Sequence, residues 1–384
     1  MILKKLKIKD FCNYKNIDLE FNPASNVFFG DNGTGKTNLL EAIYFLAFLR
    51  SQRACKDGEL IHWGKQGFYL RGEVERKGNF FHCIEISLYR EGNKKLRINS
   101  KVRMKLPPAE EGLKIVGFYP DDSLLISATP LSRRRFLNLE ISQIDGVYRS
   151  YLRQYQGILT QRNLALKRVR SKKGFLDDLL PWDEQVVRVG ARIIEKRLSL
   201  IEEICPIARK IHGFLTGGRE DLTIGYVNSS MGEGFRYGSS NTSERSNLGL
   251  ADKFSQSVCR LREREVSMGM TLVGPHRDDI TFFINNINAS IFGSHAQKRT
   301  IVISLKLALA ELLEKILGEP PAILLDDVLS ELDEKRRDML LDFLQSHKMQ
   351  CFITGTNAEQ FRSNLKKATF FEVSGGTIAP QTIG

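Results

Sequence analysis

The run Gly30-Asp31-Asn32-Gly33-Thr34-Gly35-Lys36-Thr37 has the spacing of a phosphate cradle: glycine, four residues, glycine, lysine, threonine. Glycines let successive backbone N–H groups curl around an anion, and such a loop opens a helix whose N-terminus favours negative charge. In this pattern Lys36 neutralises the β and γ phosphates of a nucleoside triphosphate, and Thr37 offers its hydroxyl to Mg2+. The metal also needs a carboxylate from the end of a neighbouring strand. Pro321-Ala322-Ile323-Leu324-Leu325-Asp326-Asp327 supplies one. Four apolar residues ending in acid suit a central parallel strand whose carboxyl end faces a ligand crevice. Asp326 is the metal-side candidate, and Asp327 the group that polarises an attacking water. ATP and Mg2+ are the expected cofactors, and Lys36, Asp326 and Asp327 the expected catalytic groups.

The elements around these residues fit that role. Ile17, Leu19 and Phe21 alternate with polar residues, and Val27-Phe28-Phe29 reads as a short buried strand feeding the glycine loop. Leu39, Leu40, Ile43, Leu46 and Ala47 follow a helical period behind it. Residues 68–118 read as a β-meander. Apolar positions from Pro130 to Arg170, and again from Trp182 to Cys205, mark helices joined by the basic linker Arg168 to Gly174, a helical hairpin or lobe. The stretch Gly217 to Gly249, rich in Gly, Ser and Asn, reads as loops. Strand-like sequence returns at Ile280 to Ile287, a helix is expected over 297–317, and buried strands at 322–325 and 351–353. The two halves of the nucleotide site thus lie in one fold with a large insertion between them, which small GTPases and simple nucleotide kinases do not accommodate.

The formal net charge of +12 favours acidic partners, nucleic acid before anionic membrane. Arg133, Arg134 and Arg135 form one basic cluster, Lys167, Arg168, Arg170, Lys172 and Lys173 a second, and Arg260, Arg262 and Arg264 a third. Such groups contact phosphates without reading sequence, or else are simply solvated faces. The six cysteines are scattered, which suits reduced thiols in a cytosol. With no signal-peptide pattern at the N-terminus and no apolar run of membrane-spanning length, a cytoplasmic protein without a membrane partner is expected.

After Asp327 comes Val328-Leu329-Ser330-Glu331-Leu332-Asp333, a segment that resembles the Walker B and D-loop of ABC-type ATPases in the branch that includes SMC heads. Further motifs are Phe11-Cys12-Asn13-Tyr14, Phe118-Tyr119-Pro120-Asp121-Asp122, Pro130 to Leu137, Leu159-Thr160-Gln161-Arg162-Asn163 and Gly274-Pro275-His276-Arg277-Asp278-Asp279. Together they make the chain similar, over essentially its whole length, to the RecF family of bacterial recombination and repair proteins. The resemblance implies an α/β architecture: an ABC-type P-loop ATPase head with a β-meander subdomain and an inserted helical lobe. The expected segments are 1–125 and 271–384 for the ATPase lobe and 126–270 for the helical lobe. It also implies an ATP-dependent homodimer on DNA, slow hydrolysis, action at single-strand gaps and single/double-strand junctions, and RecR and RecO as partners in loading recombinase. The matching signature is Phe292 to Thr300, where Ser294 and Gln297 would grip the γ-phosphate bound by the other protomer. Ser294 also has the look of a plain helix cap. Asp121, where the family carries an acid, is a metal or water contact or an N-cap. Two departures stand out, Cys12 in place of arginine and Ala296 in place of glycine. Arg277 either neutralises nucleotide, bridges protomers or pairs with Asp278 or Asp279.

Two other functions compete. The nucleotide-binding subunit of a membrane transporter normally has a shorter insertion and a switch histidine near Thr354-Gly355-Thr356, which this chain lacks. A non-hydrolysing, nucleotide-gated scaffold would require Asp327 to be a poor base.

Overall fold

The computed structural model describes residues 1–54, 56–78, 80–103, 112–230, 236–237, 249–362, 365 and 367–381. The chain forms two compact units, Met1–Asp122 with Leu309–Gly384, and Ser123–Ala308. In chain order the elements are β1 (Ile2–Phe11), β2 (Tyr14–Glu20), β3 (Ser25–Phe29), α1 (Lys36–Phe48), β4 (Gly67–Arg76), β5 (Phe80–Tyr89), β6 (Lys94–Ile98), β7 (Lys101–Arg103) and β8 (Ile115–Phe118). Then come α2 (Leu124–Ser127), α3 (Pro130–Ile144), α4 (Gly146–Arg170), α5 (Leu180–Thr216), β9 (Leu222–Val227), β10 (Arg236–Tyr237), α6 (Leu250–Met268), β11 (Asp279–Ile284), β12 (Ile287–Asn288) and α7 (Ala289–Phe292). The chain ends with α8 (His295–Leu317), β13 (Ala322–Leu325), α9 (Glu334–Ser346), β14 (Cys351–Gly355), α10 (Glu359–Arg362), β15 (Ala368–Ser374) and β16 (Thr377–Gln381).

The first unit holds two sheets. One is antiparallel, in the order β2-β1-β4-β5-β6-β7. Leu3 and Leu6 are both fully buried, although three residues apart along a regular strand they would face opposite ways. A register shift between Leu3 and Lys5 resolves this, since one extra residue turns the strand over. The second sheet runs β16-β15-β3-β14-β13-β8, with β15, β3, β14, β13 and β8 mutually parallel and β16 antiparallel at the edge. The expected meander therefore ends at β7. The run Ile115-Val116-Gly117-Phe118 leaves it and pairs with β13, because a strand apolar on both faces belongs inside a parallel sheet. Helix α1 buries residues all around its axis, including Leu39, Leu40, Ile43, Phe45 and Leu46, and touches strands of both sheets. A helix with no polar face needs cover on every side. Phe45 meets Phe11 and Phe68 edge-on at ring separations of 6.5 and 5.3 Å.

In the second unit α4 and α5 form the expected helical hairpin, with α6 packed on both and a sheet in the order β10-β9-β11-β12. α5 is longer than expected and continues through Pro206 to Thr216. β9 lies where loops were expected. Leu222, Ile224 and Tyr226 bury one face and pair with β11, a period-two signal hidden among glycines and serines. About half of that stretch, 231–235 and 238–248, lies outside the described residues. Because β11 pairs with β9, residues 271–308 group with the helices, whereas the expected third segment began at 271.

Candidate nucleotide site

The glycine loop joins β3 to α1 at the carboxyl end of the parallel sheet. Gly30 has φ 151° and Gly35 φ 117°, and a Cβ at either would lie 2.3 Å from another atom, Val373 O and Asn13 Nδ2 respectively. No side chain fits at these two positions, so the backbone itself lines the loop. Lys36 is buried, and its Nζ donates to Gly30 O at 2.7 Å and Asp31 O at 2.8 Å, folding the ammonium over the loop. Asn32, Gly33 and Thr34 complete the turn, with Thr34 N and Oγ1 both donating to Asp31 O.

The acidic half meets this loop directly. Thr37 Oγ1 donates to Asp326 Oδ1 at 3.0 Å, and Thr354 Oγ1 donates to the same oxygen at 2.9 Å. Asp326 directly follows β13, and Thr354 lies near the end of β14, the strand between β13 and β3. Burial pushes the Asp326 carboxyl above its ordinary range, and the Asp327 charge adds to this against the two hydroxyl bonds. Asp327 has φ 52°, and its N–H donates to Thr354 Oγ1 at 2.9 Å. Left-handed backbone is uncommon for a non-glycine residue.

A hydroxyl and a carboxylate on one point are hard oxygen donors, the set Mg2+ prefers when it keeps waters and nucleotide oxygens for its other positions. Among the described residues no cluster of three His, Cys, Asp or Glu side chains forms a metal cage. Nucleotide with Mg2+ therefore fits these residues, and an all-protein metal centre does not. Asp121 follows β8, the strand beside β13, and is exposed. It is the neighbouring Asp122 whose carboxylate caps locally, accepting from Tyr119 N at 2.6 Å.

The turn between β1 and β2 braces the loop. Asn13 Nδ2 donates to Thr34 O at 2.9 Å, Tyr14 OH donates to Gly35 O at 2.8 Å, and Asn38 Nδ2 donates to Asn13 Oδ1 at 2.8 Å. Cys12 sits in this turn at φ 48°, its carbonyl 2.7 Å from His62 Nδ1. Burial pushes its thiol up to about 12, so it stays neutral. Asn13 enters the sequence reading only as a letter of a family motif and Thr354 only as a position near a missing switch histidine; neither they nor Asn38 are expected there as residues of the nucleotide site. Thr354 carried a legible signal, a polar residue ending the apolar run Cys351-Phe352-Ile353, the same pattern that marks Asp326.

In the second unit, Ser294 and Gln297 cap α8 reciprocally: Ser294 N donates to Gln297 Oε1 at 2.9 Å, and Gln297 N to Ser294 Oγ at 3.2 Å. Gln297 Nε2 also donates to Glu220 Oε1 at 3.0 Å, and Ala296 lies in the first turn. The three arginines after Pro130 do not act alike. Arg133 is buried, with both Nε and Nη2 on Asp279 at 2.7 and 2.8 Å and Nη1 on the Ile126 and Ala128 carbonyls. It corrects the expectation of a phosphate contact, because its guanidinium is consumed in bracing α3 on β11. Arg134 is half-buried and donates to Asp278 O at 2.8 Å, whereas Arg135, Lys172 and Lys173 are exposed. Arg262 pairs with Asp183, which with Glu265 and Thr271 surrounds the fully buried Arg162.

The glycine-proline-histidine motif is packed just as closely. Arg197 Nη1 donates to Pro275 O at 2.6 Å, and Asp278 accepts from Tyr226 OH at 2.6 Å and Ser229 N at 2.8 Å. His276 lies between Tyr155 OH at 2.9 Å and Thr271 O at 3.1 Å, and burial lowers its pKa to about 4. Arg277 reaches Thr271 O at 3.2 Å. Asp278 and Asp279 are engaged elsewhere, so the ion pair expected as one alternative for Arg277 is not formed.

Known proteins resemble this chain in sequence and in fold. Residues 2–378 match the model of the RecF/RecN/SMC N terminal domain. The DNA replication and repair protein RecF of Natranaerobius thermophilus is 39% identical over 100% of this chain and 99% of its own. That of Halalkalibacterium halodurans is 37% identical over 98% and 99%. A solved structure of the recombination mediator protein RecF with ATP, in the RecFOR pathway, superposes with a TM-score of 0.88 at 32% identity, covering 99% of this chain and 98% of that one. The Smc head domain of Pyrococcus furiosus, at 15% identity and a TM-score of 0.55, shares the fold. With its glycine loop, paired aspartates and full-length match, the chain belongs to the RecF family, ABC-type ATPases of DNA replication and repair.

Proposed function

We propose that the chain binds ATP with Mg2+, dimerises when it does so, and works on DNA at single-strand gaps and single/double-strand junctions. The observation that carries this reading is the meeting of Thr37, Thr354 and Asp326 on one oxygen beside the glycine loop, with Asp327 next in line. The loop N–H groups and Lys36 hold the phosphates, while Thr37 and Asp326 hold the metal, with Asp121 beyond the adjacent strand as a further contact. Mg2+, when bound, neutralises phosphate oxygens. Asp327 accepts a hydrogen bond from the attacking water and orients it. Ser294 and Gln297 at the start of α8 face the nucleotide of a second protomer, whose γ-phosphate completes their cap.

Arg135, Lys172 and Lys173 supply the exposed charge for DNA phosphates, with Arg134 secondary. The relatives' place in the RecFOR pathway supports RecR and RecO as partners in the cytoplasm. Among the described residues no helix is long and apolar enough to cross a membrane. The test is ATP turnover and light scattering with and without gapped DNA, in the wild type and in Asp327→Asn. The variant is expected to bind ATP, dimerise and turn over at least tenfold more slowly, an order typical of losing a positioned acid–base group. Wild-type turnover in Asp327→Asn, or a wild-type protein that stays monomeric with ATP, would refute the reading.

A further inference from the structure

We propose that the turn between α4 and α5 is a stacking wedge for nucleic acid, in which Phe175 lies against the first unpaired base where a duplex ends. This deepens the DNA reading above and rests on it. Phe175 is 79% exposed, and Leu176 and Leu180 beside it are 54% and 49% exposed. The fold does not need that ring. Ala165, Leu166 and Leu179 form a small core beneath the turn, with Val169, Trp182 and Val266 against it. The turn is closed by its backbone: Lys172 N donates to Val169 O at 3.0 Å, Lys173 N to Arg168 O at 2.9 Å, and Asp178 N to Phe175 O at 3.1 Å. Phe175 N in turn donates to Asp178 Oδ2 at 2.9 Å. An aromatic ring held out on a pinned backbone is ready to bind without further ordering.

The surroundings select the occupant. Lys167, Arg168, Arg170, Lys172 and Lys173 are all exposed around the turn, against the exposed acids Asp177 and Asp178. The basic excess calls for a polyanion, and the ring calls for a flat apolar face within it. A nucleic-acid end offers both, since base–aromatic stacking tolerates any sequence while lysines track the phosphates. An anionic membrane also attracts basic, aromatic tips. Here it would draw Asp177 and Asp178 into the headgroup layer along with the ring, which opposes insertion. Duplex interior offers charge but no open base face, so the wedge favours junctions and ends over continuous duplex.

The experiment uses the full chain and three oligonucleotide substrates: a duplex with a single-stranded tail, a duplex capped by covalent closure into a relaxed circle with no ends or unpaired bases, and the tailed duplex carrying 2-aminopurine at its first unpaired base. Phe175→Ala is expected to weaken tailed-duplex binding by about tenfold, the order of one lost base stack, while leaving binding to the capped duplex and to ATP unchanged. It should also abolish the 2-aminopurine fluorescence change that wild type produces. Phe175→Trp should restore both. Equal binding of the tailed duplex by wild type and Phe175→Ala overturns the wedge and leaves the wider DNA reading standing. So does an equal loss on the capped duplex. Loss of binding to phosphatidylserine vesicles in Phe175→Ala, with tailed-duplex binding intact, would assign the turn to lipid instead. A wild type that binds none of the oligonucleotides refutes both readings.

Discussion

Replacing Thr354 with valine tests how far the two halves of the nucleotide site depend on one hydroxyl. The substitution keeps the shape and removes an oxygen that serves two neighbours. Thr354 Oγ1 donates to Asp326 Oδ1 and accepts from Asp327 N, both at 2.9 Å, and Thr354 is buried. Losing it leaves one buried N–H without its acceptor and takes a donor from a buried carboxylate. A buried unsatisfied group costs about 1–3 kcal/mol, and a hydrogen bond to a charged group is worth about 1.5–3 kcal/mol, so the variant should lose roughly 2.5–6 kcal/mol. The deficit has a pH signature. The folded-state pKa of Asp326 is already raised by burial, so folding favours its protonated form, and stability falls as pH rises from the unfolded value through the folded one. Removing a bond to the charged form raises that pKa further. The gap between wild type and Thr354→Val should therefore shrink as pH falls into the acid range and be full at neutral pH. Turnover should fall on the order of tenfold or more, because Asp327 holds its left-handed backbone through this bond and small misplacements of a reacting group are expensive. Urea midpoints across pH and steady-state ATP hydrolysis check both effects, with Thr354→Ser recovering most of each. A valine variant with wild-type midpoint and turnover would show that Asp326 and Asp327 are positioned by other means.

Arg133→Ala should cost about 3–5 kcal/mol, as breaking one side of a buried pair does, and Arg133→Met with Asp279→Leu should recover most of it. Arg135→Ala should leave the urea midpoint unchanged while lowering DNA affinity and its dependence on salt concentration. His276, lowered to about 4 from an ordinary 6.5, is held neutral in the folded state, so its contribution is complete above pH 6.5 and is lost as pH falls toward 4. At most about 3 kcal/mol is involved, and His276→Gln should flatten that part of the stability profile. Ser294→Arg should leave ATP affinity of the single protomer unchanged and abolish ATP-driven dimerisation in sedimentation, whereas normal dimerisation would reduce Ser294 to a helix cap.

What could be read in advance follows from how local each constraint is. The glycine loop, Lys36 and Thr37 are one short backbone device, and its residue types are dictated by the φ values at Gly30 and Gly35, so the pattern is visible in eight letters. Asp326 and Asp327 are legible because an apolar run ending in acid has few other uses. Thr354 is subject to the same rule with a less conspicuous residue, which is why it escaped notice. The basic clusters show the opposite case. Arg133, Arg134 and Arg135 are identical letters in a row, yet a helix turns each about 100° from the last. Arg133 therefore points at Asp279, whereas Arg135 is exposed. Asp279 lies far along the chain, and no local pattern announces the pairing. Arg162, Arg197 and Arg262 repeat the lesson, each held by carboxylates, hydroxyls or carbonyls that only the tertiary fold supplies. Pairs of this kind cancel within the net charge of +12, so it is the count of arginines, and not the net charge, that overstates the contacts the surface offers to DNA. Of the arginines in the Pro130 to Leu137 motif, Arg133 is spent inside the second unit, and the exposed charge available to phosphate lies on Arg135, Lys172 and Lys173. Mutagenesis guided by motif alone would strike the braces and report their collapse as lost binding, so each charge reversal needs its stability measured beside its affinity.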